Sequence, residues 1–198
     1  YFADALELLA LTGAQLRDFS PIADADLPRD TDVVYLGCGH VDRFADALAA
    51  NPCMIAALRR HAREGGRIYA EGGGAAYLCN AMEFDSGECL QMCGVIPAVA
   101  RCLPAAERSE FVDVSLANDC WLGRHGDRLR GYRNGRWSME PMGPHWTLGG
   151  NLAARNLASH SEILCREQVI ASQVHLNLVA QPHLLANFAA AASAAGIR

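Results

Sequence analysis

The feature that most constrains the fold of this chain is a short apolar strand that runs into a helix through three consecutive glycines. The segment 68–78 has Gly72, Gly73 and Gly74 at the corner between the two elements. A corner this tight places one residue at a strained, accessible elbow beside a helix N-terminus, where enzymes hold a nucleophilic Ser or Cys. Here the elbow residue is Gly72, which has no side chain. Composition alone therefore favours a packing turn or a phosphate cradle at this corner.

A second strand ends in a similar way. Residues 32–36 form a β-branched and aromatic run that stops at Gly37-Cys38-Gly39, which is typical of a buried parallel strand followed by a glycine-rich turn. Ligands bind at this carboxyl edge of the sheet in open α/β folds. Because strands and helices alternate through the first half of the chain, the sequence predicts an α/β fold with a mostly parallel central sheet and helices on both faces.

The other predicted elements follow from apolar periodicity and from glycine or proline at their ends. The predicted helices are 3–12, 43–50, 52–64, 75–82 and 182–194. The predicted strands are 15–19, 67–70, 94–98, 110–116, 128–133 and 169–178. No repeat or flexible linker divides the sequence, so we expect a single domain over 1–198.

Charge and length exclude several classes of function. The chain has 198 residues, a formal charge of -5 and no Lys among its 17 basic side chains, so a surface that tracks nucleic-acid phosphates is not expected. A Walker P-loop needs a Lys after its glycines, and the dinucleotide fingerprint needs a third Gly that does not follow Gly37 and Gly39. The apolar stretches are far shorter than the roughly 20 residues that span a bilayer, and no secretory signal is visible. We therefore expect a cytoplasmic protein without membrane contact.

The 8 cysteines could form disulfides or hold a metal. In a chain with enough apolar residues for a core, we expect buried, reduced thiols instead of disulfide staples. One close pair, Cys89 and Cys93, has C-x3-C spacing, but no second pair follows it, so no metal site is predicted.

Three segments together carry a resemblance to a known family. Residues 35–42 resemble a YLGGGYPE-type loop, 70–78 resemble an AECGGLMYL elbow, and 172–182 resemble a SYLHLHFASNP-type segment. Weaker matches occur in the same order at 1–7, 19–24 and 92–97. On these motifs the chain is similar to the C-terminal glutamine amidotransferase domain of the cobyrinic acid a,c-diamide synthase family, a CobB/CobQ-type class I-like amidotransferase.

The resemblance implies a flavodoxin-like, three-layer fold and a specific reaction. In such proteins an elbow cysteine, helped by a histidine, attacks the side-chain amide of glutamine. The ammonia goes to an N-terminal ATPase domain or subunit, which activates the a- and c-acetate carboxylates of a tetrapyrrole. ATP and Mg²⁺ then belong to that partner, and this chain itself needs no cofactor. A homodimer is possible for such a domain.

The resemblance also assigns roles to individual positions. It places the nucleophile position at Gly72 and the catalytic histidine at His175. It assigns substrate binding to the glycine-rich turns, at Gly37, Cys38, Gly39, Gly73 and Gly74.

Departures from the family pattern predict that this copy lacks Cys-dependent glutaminase activity. Gly72 has no nucleophile. Residues 131–138 correspond to a GHEFHYS loop but lack its histidines and acid, and Asn177 replaces a second histidine, which leaves no carboxylate there to orient His175. We therefore expect an amidotransferase-like domain of an a,c-diamide synthase that uses ammonia from another source.

Three alternatives remain open. The first is a non-catalytic ligand-binding or regulatory module that uses a pocket around Gly72 and His175. The second is a displaced nucleophile at Cys38, although Cys38 would then occupy the turn expected to donate N–H groups to an oxyanion. The third is that the basic, aromatic segment 124–146 binds tetrapyrrole carboxylates through its arginines, with His145 or His160 as an axial metal ligand. A solvated loop is the simpler interpretation of that segment.

Overall fold

A computed structural model describes residues 3–104, 109–133, 135–142 and 163–194. The helices are α1 (Ala3–Leu11), α2 (Ala45–Ala49), α3 (Pro52–Arg63), α4 (Gly73–Leu78) and α5 (Pro182–Ala194), with a 3-10 helix at Val41–Arg43. The first strands are β1 (Val33–Leu36), β2 (Arg67–Glu71), β3 (Cys79–Glu83), β4 (Cys89–Gln91), β5 (Ile96–Cys102) and β6 (Glu110–Ser115). The remaining strands are β7 (Arg128–Arg133), β8 (Trp137–Pro141), β9 (Ile163–Arg166), β10 (Val169–Ser172) and β11 (Val174–Leu176).

A four-stranded central sheet positions the site. Its strand order is β1-β2-β10-β9, in which β2 pairs in parallel with β1 and with β10, and β9 is antiparallel at one edge. Tyr35 pairs with Tyr69 across β1 and β2, and Ser172 pairs with Glu71 across β10 and β2. The carboxyl ends of three strands therefore meet at one edge of the sheet.

Two smaller sheets flank the central one. One has the order β4-β3-β5-β8, and its only parallel pair is β3 with β5. The other is antiparallel and has the order β11-β7-β6. The chain changes sheets at Gln173, between β10 and β11, so residues that follow β10 are carried directly over the edge where β2 ends.

The core lies on both faces of the central sheet. On one face, Met54 and Leu58 of α3 are buried against Val34 and Ile68. On the other face, Tyr69 packs with Phe188 of α5 and with apolar residues of the antiparallel sheet. Burial of apolar surface on both faces is what the near-continuous apolar strands predict.

Helix α3 shows how local sequence sets an element boundary. Asn51 caps its first turn, since the Asn51 side chain accepts a hydrogen bond from the Met54 amide at 3.2 Å. Pro52 occupies the first helical position, where its missing N–H costs nothing. The helix ends before Gly65, whose φ of +81° terminates it.

The α/β prediction is confirmed, but three predicted elements are wrong. Residues 15–19 have no regular structure because they are largely exposed and pair with no strand among the described residues. The predicted helix 75–82 ends at Leu78, since Cys79–Glu83 pairs with β5 instead and long-range pairing overrides local helix propensity. The predicted strand 169–178 is divided at Gln173 between two sheets.

The cysteines also differ in part from the prediction. All eight are free thiols, and Cys79, Cys93, Cys102 and Cys165 are buried as expected. Cys53 and Cys89 are exposed, which corrects the expectation of core thiols throughout. The described part of the chain has no group of three metal-ligating side chains, and none of its helices has the length and apolar character to cross a bilayer.

Candidate active site at the glycine elbow

Gly72 forms a sharp elbow between β2 and α4. Its backbone has φ +50° and ψ -113°, a conformation that side chains adopt only under strain. The Gly72 amide donates to the Ser172 carbonyl at 2.8 Å, and its carbonyl accepts from the Ala76 amide at 3.0 Å. The elbow predicted from the sequence is therefore held by hydrogen bonds to the neighbouring strand and to its own helix.

The two following glycines let the elbow approach the turn after β1. A β-carbon on Gly74 would lie 2.6 Å from the carbonyl oxygens of both Leu36 and Gly37. A β-carbon on Gly73 would overlap the carbonyl oxygen of Cys38. Since the obstacles are backbone atoms, no side-chain movement relieves them. The triple glycine is thus a close-packing requirement at 73 and 74 and a conformational requirement at 72.

The atoms of the turn after β1 that lie nearest to these two glycines include the carbonyl oxygens of Leu36, Gly37 and Cys38. Gly39 follows in the same turn with a φ of +50°, and a β-carbon there would contact only Val41. The predicted substrate-binding glycines are therefore close together, apart from Gly39. Their role in binding stays a prediction.

The space that a side chain at position 72 would fill is occupied by two other residues. A β-carbon on Gly72 would lie 2.8 Å from Sγ of Cys38 and 3.2 Å from Nε2 of His175. Cys38 reaches this point from the turn after β1, and His175 reaches it from β11. A thiol and an imidazole therefore meet at the elbow, although the elbow residue itself contributes neither.

Glu71 holds the opposite side of the His175 ring. Its carboxylate is fully buried, and Oε2 lies 3.5 Å from Nδ1 of His175. The loss of a histidine at Asn177 predicted that no carboxylate orients His175. That expectation is wrong, because the carboxylate comes from the residue before the elbow, on a different sheet.

The Glu71 carboxylate is itself fixed by three donors. Tyr69 donates to Oε1 at 2.8 Å, Tyr35 donates to Oε2 at 2.9 Å, and the Leu176 amide donates to Oε1 at 3.1 Å. Burial and the adjacent Glu71 carboxylate raise the pKa of Tyr69 well above its usual value, so this hydroxyl remains a donor. A carboxylate held this way keeps one orientation toward His175.

The environment of His175 favours its protonated form. Burial alone lowers the pKa of the imidazole, but the Cys38 thiol and the Glu71 carboxylate outweigh burial and raise the pKa to about 9. Nε2 is buried and makes no hydrogen bond of standard geometry within the described residues, so the sulfur of Cys38 is its polar counterpart. The imidazole is therefore an imidazolium at neutral pH.

The sequence motifs indicated His175, Gly72 and Cys38 but gave no role to Glu71 and its two tyrosine donors. These tyrosines pair in register on adjacent parallel strands, close to the carboxyl ends of β1 and β2. Polar aromatic side chains next to a carboxylate at strand ends are a signal that could have suggested a buried network.

The basic segment forms ion pairs within the fold. Arg128 and Arg130 bind Asp113 on the neighbouring strand at 2.8 and 3.1 Å, and Arg133 pairs with Glu110. These ion pairs favour a solvated loop over a cluster of arginines that binds the carboxylates of a tetrapyrrole. Residues His145, Trp146 and His160 lie outside the described residues.

Arg136 connects this segment to the site. Its guanidinium lies 2.8 Å from the Asp42 carboxylate, in the 3-10 helix that follows the Cys38 turn. Burial opposes ionisation of Asp42, but the bond to Arg136 outweighs it and lowers the pKa of the carboxyl. This ion pair ties the start of β8 to the loop that carries Cys38.

Comparisons with known proteins agree on one family. Residues 1–182 match the CobB/CobQ-like glutamine amidotransferase domain. Cobyrinate a,c-diamide synthase from Dehalococcoides mccartyi is 35% identical, covering 95% of this chain and 41% of the relative. The synthase of the same name from Syntrophotalea carbinolica is 32% identical, covering 92% and 40%. The chain therefore spans about two fifths of the length of these relatives.

Solved structures resemble this fold as well. A crystal structure of a glutamine amidotransferase superimposes with a TM-score of 0.58 at 17% identity, over 82% of this chain and 79% of the other. A GMP synthase component from Thermoplasma acidophilum superimposes with a TM-score of 0.55 at 14% identity, over 88% and 79%. At these identities the likeness supports the fold alone.

Proposed function

Because the chain belongs to the family of CobB/CobQ-like glutamine amidotransferase domains, we propose that it is the amidotransferase part of an a,c-diamide synthase. Such an enzyme converts carboxylates of a cobyrinate-type tetrapyrrole into carboxamides in an ATP-dependent reaction. The observation that carries this proposal is the His175–Glu71 pair against the elbow of a chain that matches the family over 1–182.

In this proposal, two parts of a longer protein carry out separate steps of the reaction. The relatives extend well beyond the matched region, which supports a further domain. That domain binds ATP, Mg²⁺ and the tetrapyrrole, and it forms the acyl phosphate that ammonia attacks. This chain contributes the amidotransferase domain, in a cytoplasmic enzyme that can assemble as a homodimer.

Gly72 restricts how this domain obtains ammonia. An elbow without a side chain cannot form a covalent intermediate, so hydrolysis of glutamine cannot start from position 72. Ammonia comes from solution, from another protein, or from a reaction that uses a different thiol of this chain.

The experiment uses the complete protein with a tetrapyrrole polyacid, ATP and Mg²⁺. With ¹⁵N-ammonium as nitrogen source, we expect up to two carboxylates to become ¹⁵N-carboxamides, detected by mass spectrometry. Absence of amide products with ammonium and with glutamine would overturn the proposal. Omission of ATP is the matched control and should leave the tetrapyrrole unchanged.

The alternative of a binding module depends on an open pocket at Gly72. A β-carbon at position 72 would already meet Cys38 and His175, so the missing side chain of Gly72 does not by itself open a pocket there. No observation in the described residues favours this alternative over the amidotransferase.

A further inference from the structure

We propose that Cys38 is the nucleophile of a glutaminase site in this chain, with His175 as its acid and base and Glu71 as the residue that positions His175. The inference rests on the proposed function and deepens it, because it names the source of ammonia. The substrate is the primary carboxamide of glutamine. The thiol lies on the turn that faces the elbow instead of on the elbow itself.

Gly72 and Cys38 fit each other reciprocally. The sulfur of Cys38 lies 2.8 Å from the point where a β-carbon of residue 72 would be. A side chain at 72 would therefore require the Cys38 thiol to move, and the absence of a side chain at 72 makes room for the thiol at this point. Loss of the elbow nucleophile without a compensating change would leave an empty space beside Gly72. In this structure the sulfur of Cys38 lies in that space.

His175 lies beside the Cys38 thiol, whose interaction with the imidazole contributes to the raised pKa of His175. Nε2 of His175 lies 3.2 Å from the same point, and its Nδ1 faces the Glu71 carboxylate. The order thiol, imidazole, carboxylate is the arrangement that activates a cysteine nucleophile. The imidazolium beside the sulfur stabilises the thiolate form, which is the reactive one.

Access distinguishes Cys38 from competing thiols. Cys38 is half-buried, so part of this residue is in contact with solvent. Cys79, the other cysteine near the elbow, is fully buried, and burial together with Cys93 raises its pKa to about 12. Cys53 is exposed on α3, which contributes no residue to the elbow. Of these thiols, Cys38 alone combines partial exposure with a basic partner.

The reaction balances as glutamine plus water giving glutamate plus ammonia. The proton of the Cys38 thiol resides on Nε2 of His175, and the thiolate attacks Cδ of the glutamine side chain. The C–N bond breaks as Nε2 returns the proton to the leaving nitrogen, which gives ammonia and a γ-glutamyl thioester on Sγ. Water then attacks the thioester carbonyl and loses a proton to Nε2. The C–S bond breaks, which gives glutamate and regenerates the thiolate beside the imidazolium.

The test compares nitrogen sources in the complete protein with ATP, Mg²⁺ and a tetrapyrrole polyacid present. We expect the native protein to release glutamate from glutamine, and Cys38→Ala to lower the ratio of glutamine-dependent to ammonium-dependent amide product at least about 100-fold. Cys53→Ala is the matched thiol control and should leave that ratio unchanged. Acid quenching of the native reaction should trap the γ-glutamyl thioester on the peptide that contains Cys38.

A second variant keeps the test decisive if Cys38→Ala folds poorly. The double variant Gly72→Cys with Cys38→Gly returns the sulfur to the elbow beside the same histidine. We expect it to recover part of the glutamine hydrolysis that Cys38→Gly alone loses.

The outcomes separate this inference from the proposed function. If ammonium supports amidation but the native protein does not hydrolyse glutamine, the inference is overturned and the proposed function stands. Glutamine hydrolysis that persists in Cys38→Ala also overturns it. If glutamine is hydrolysed through Cys38 but neither nitrogen source yields amides, the inference stands and the proposed function fails.

Discussion

The carboxylate of Glu71 lies 3.5 Å from Nδ1 of His175, although the two residues belong to strands of different sheets. Glu71 ends β2 of the central sheet, and His175 lies on β11 of the antiparallel sheet. The Leu176 amide donates to the same carboxylate and fixes β11 against the elbow. The pair therefore aligns the histidine and joins the two sheets at the site.

Replacing Glu71 by Gln tests this alignment. The amide keeps the shape of the side chain but cannot stabilise the imidazolium, so we expect the pKa of His175 to fall below about 9. One donor to the former carboxylate also loses its acceptor, which costs about 1–3 kcal/mol of the free energy of unfolding. An NMR titration of the His175 ring measures the first effect and denaturant unfolding the second. Glu88→Gln, at an exposed turn, is the control. An unchanged titration would contradict the assigned contact.

The stability of the protein should fall at alkaline pH because of His175. Its pKa is raised from 6.5 to about 9 in the folded state, so the stabilisation is fully present below pH 6.5 and is lost as the pH rises through about 9. The full shift corresponds to about 3 kcal/mol, and solvent screening of a group that is not fully buried reduces the expected difference to on the order of 2 kcal/mol. Denaturant unfolding at three pH values, below, within and above this window, measures it, with His175→Gln as the reference that lacks this group. Parallel pH curves for the two proteins would refute the prediction.

Replacing Gly72 by Ala should destabilise the elbow through two separate effects. The new β-carbon meets the Cys38 sulfur at 2.8 Å, and the φ of +50° is unfavourable for Ala. Together we expect a loss of about 2–4 kcal/mol of the free energy of unfolding. Gly65→Ala is the control for backbone strain alone, since its φ is +81° and its β-carbon meets nothing within 4 Å.

Removing the sulfur of Cys38 should recover the part of the lost stability of Gly72→Ala that comes from the clash between this sulfur and the new β-carbon. We expect Gly72→Ala with Cys38→Gly to be more stable than the sum of the two single variants, because the clash disappears while the strain remains. Thermal unfolding of the native protein, both single variants and the double variant gives this coupling. Additive effects would show that Cys38 and position 72 do not share the same space.

Alkylation rates should distinguish the thiols. At neutral pH we expect iodoacetamide to modify Cys38 faster than the exposed Cys53, because the His175 imidazolium favours the Cys38 thiolate. The buried Cys79 should not react in the folded protein. Peptide mass spectrometry over time measures the rates, and His175→Gln should slow Cys38 without changing Cys53. If Cys38 reacts no faster than a free model thiol, its activation is disproved.

Much of the fold was predictable because it depends on local patterns. The strand Arg128–Arg133 and the helix Pro182–Ala194 have the predicted bounds, since each follows from periodicity and an adjacent turn or proline. The helix predicted over 75–82 was wrong because its second half pairs with a strand that lies later in the chain. Local propensity carries no information about such a partner.

The sequence by itself determined the class of fold, the elbow at Gly72, the position of His175 and the family. These depend on short motifs whose residues are adjacent in the chain. Only the tertiary structure decided which carboxylate orients the histidine and which thiol lies beside it. Glu71 and Leu176 are 105 residues apart, and their contact depends on strand register and on the change of sheet at Gln173. The physical reason is that strand pairing and close backbone packing join distant segments, and no local pattern encodes which side chains will then face each other.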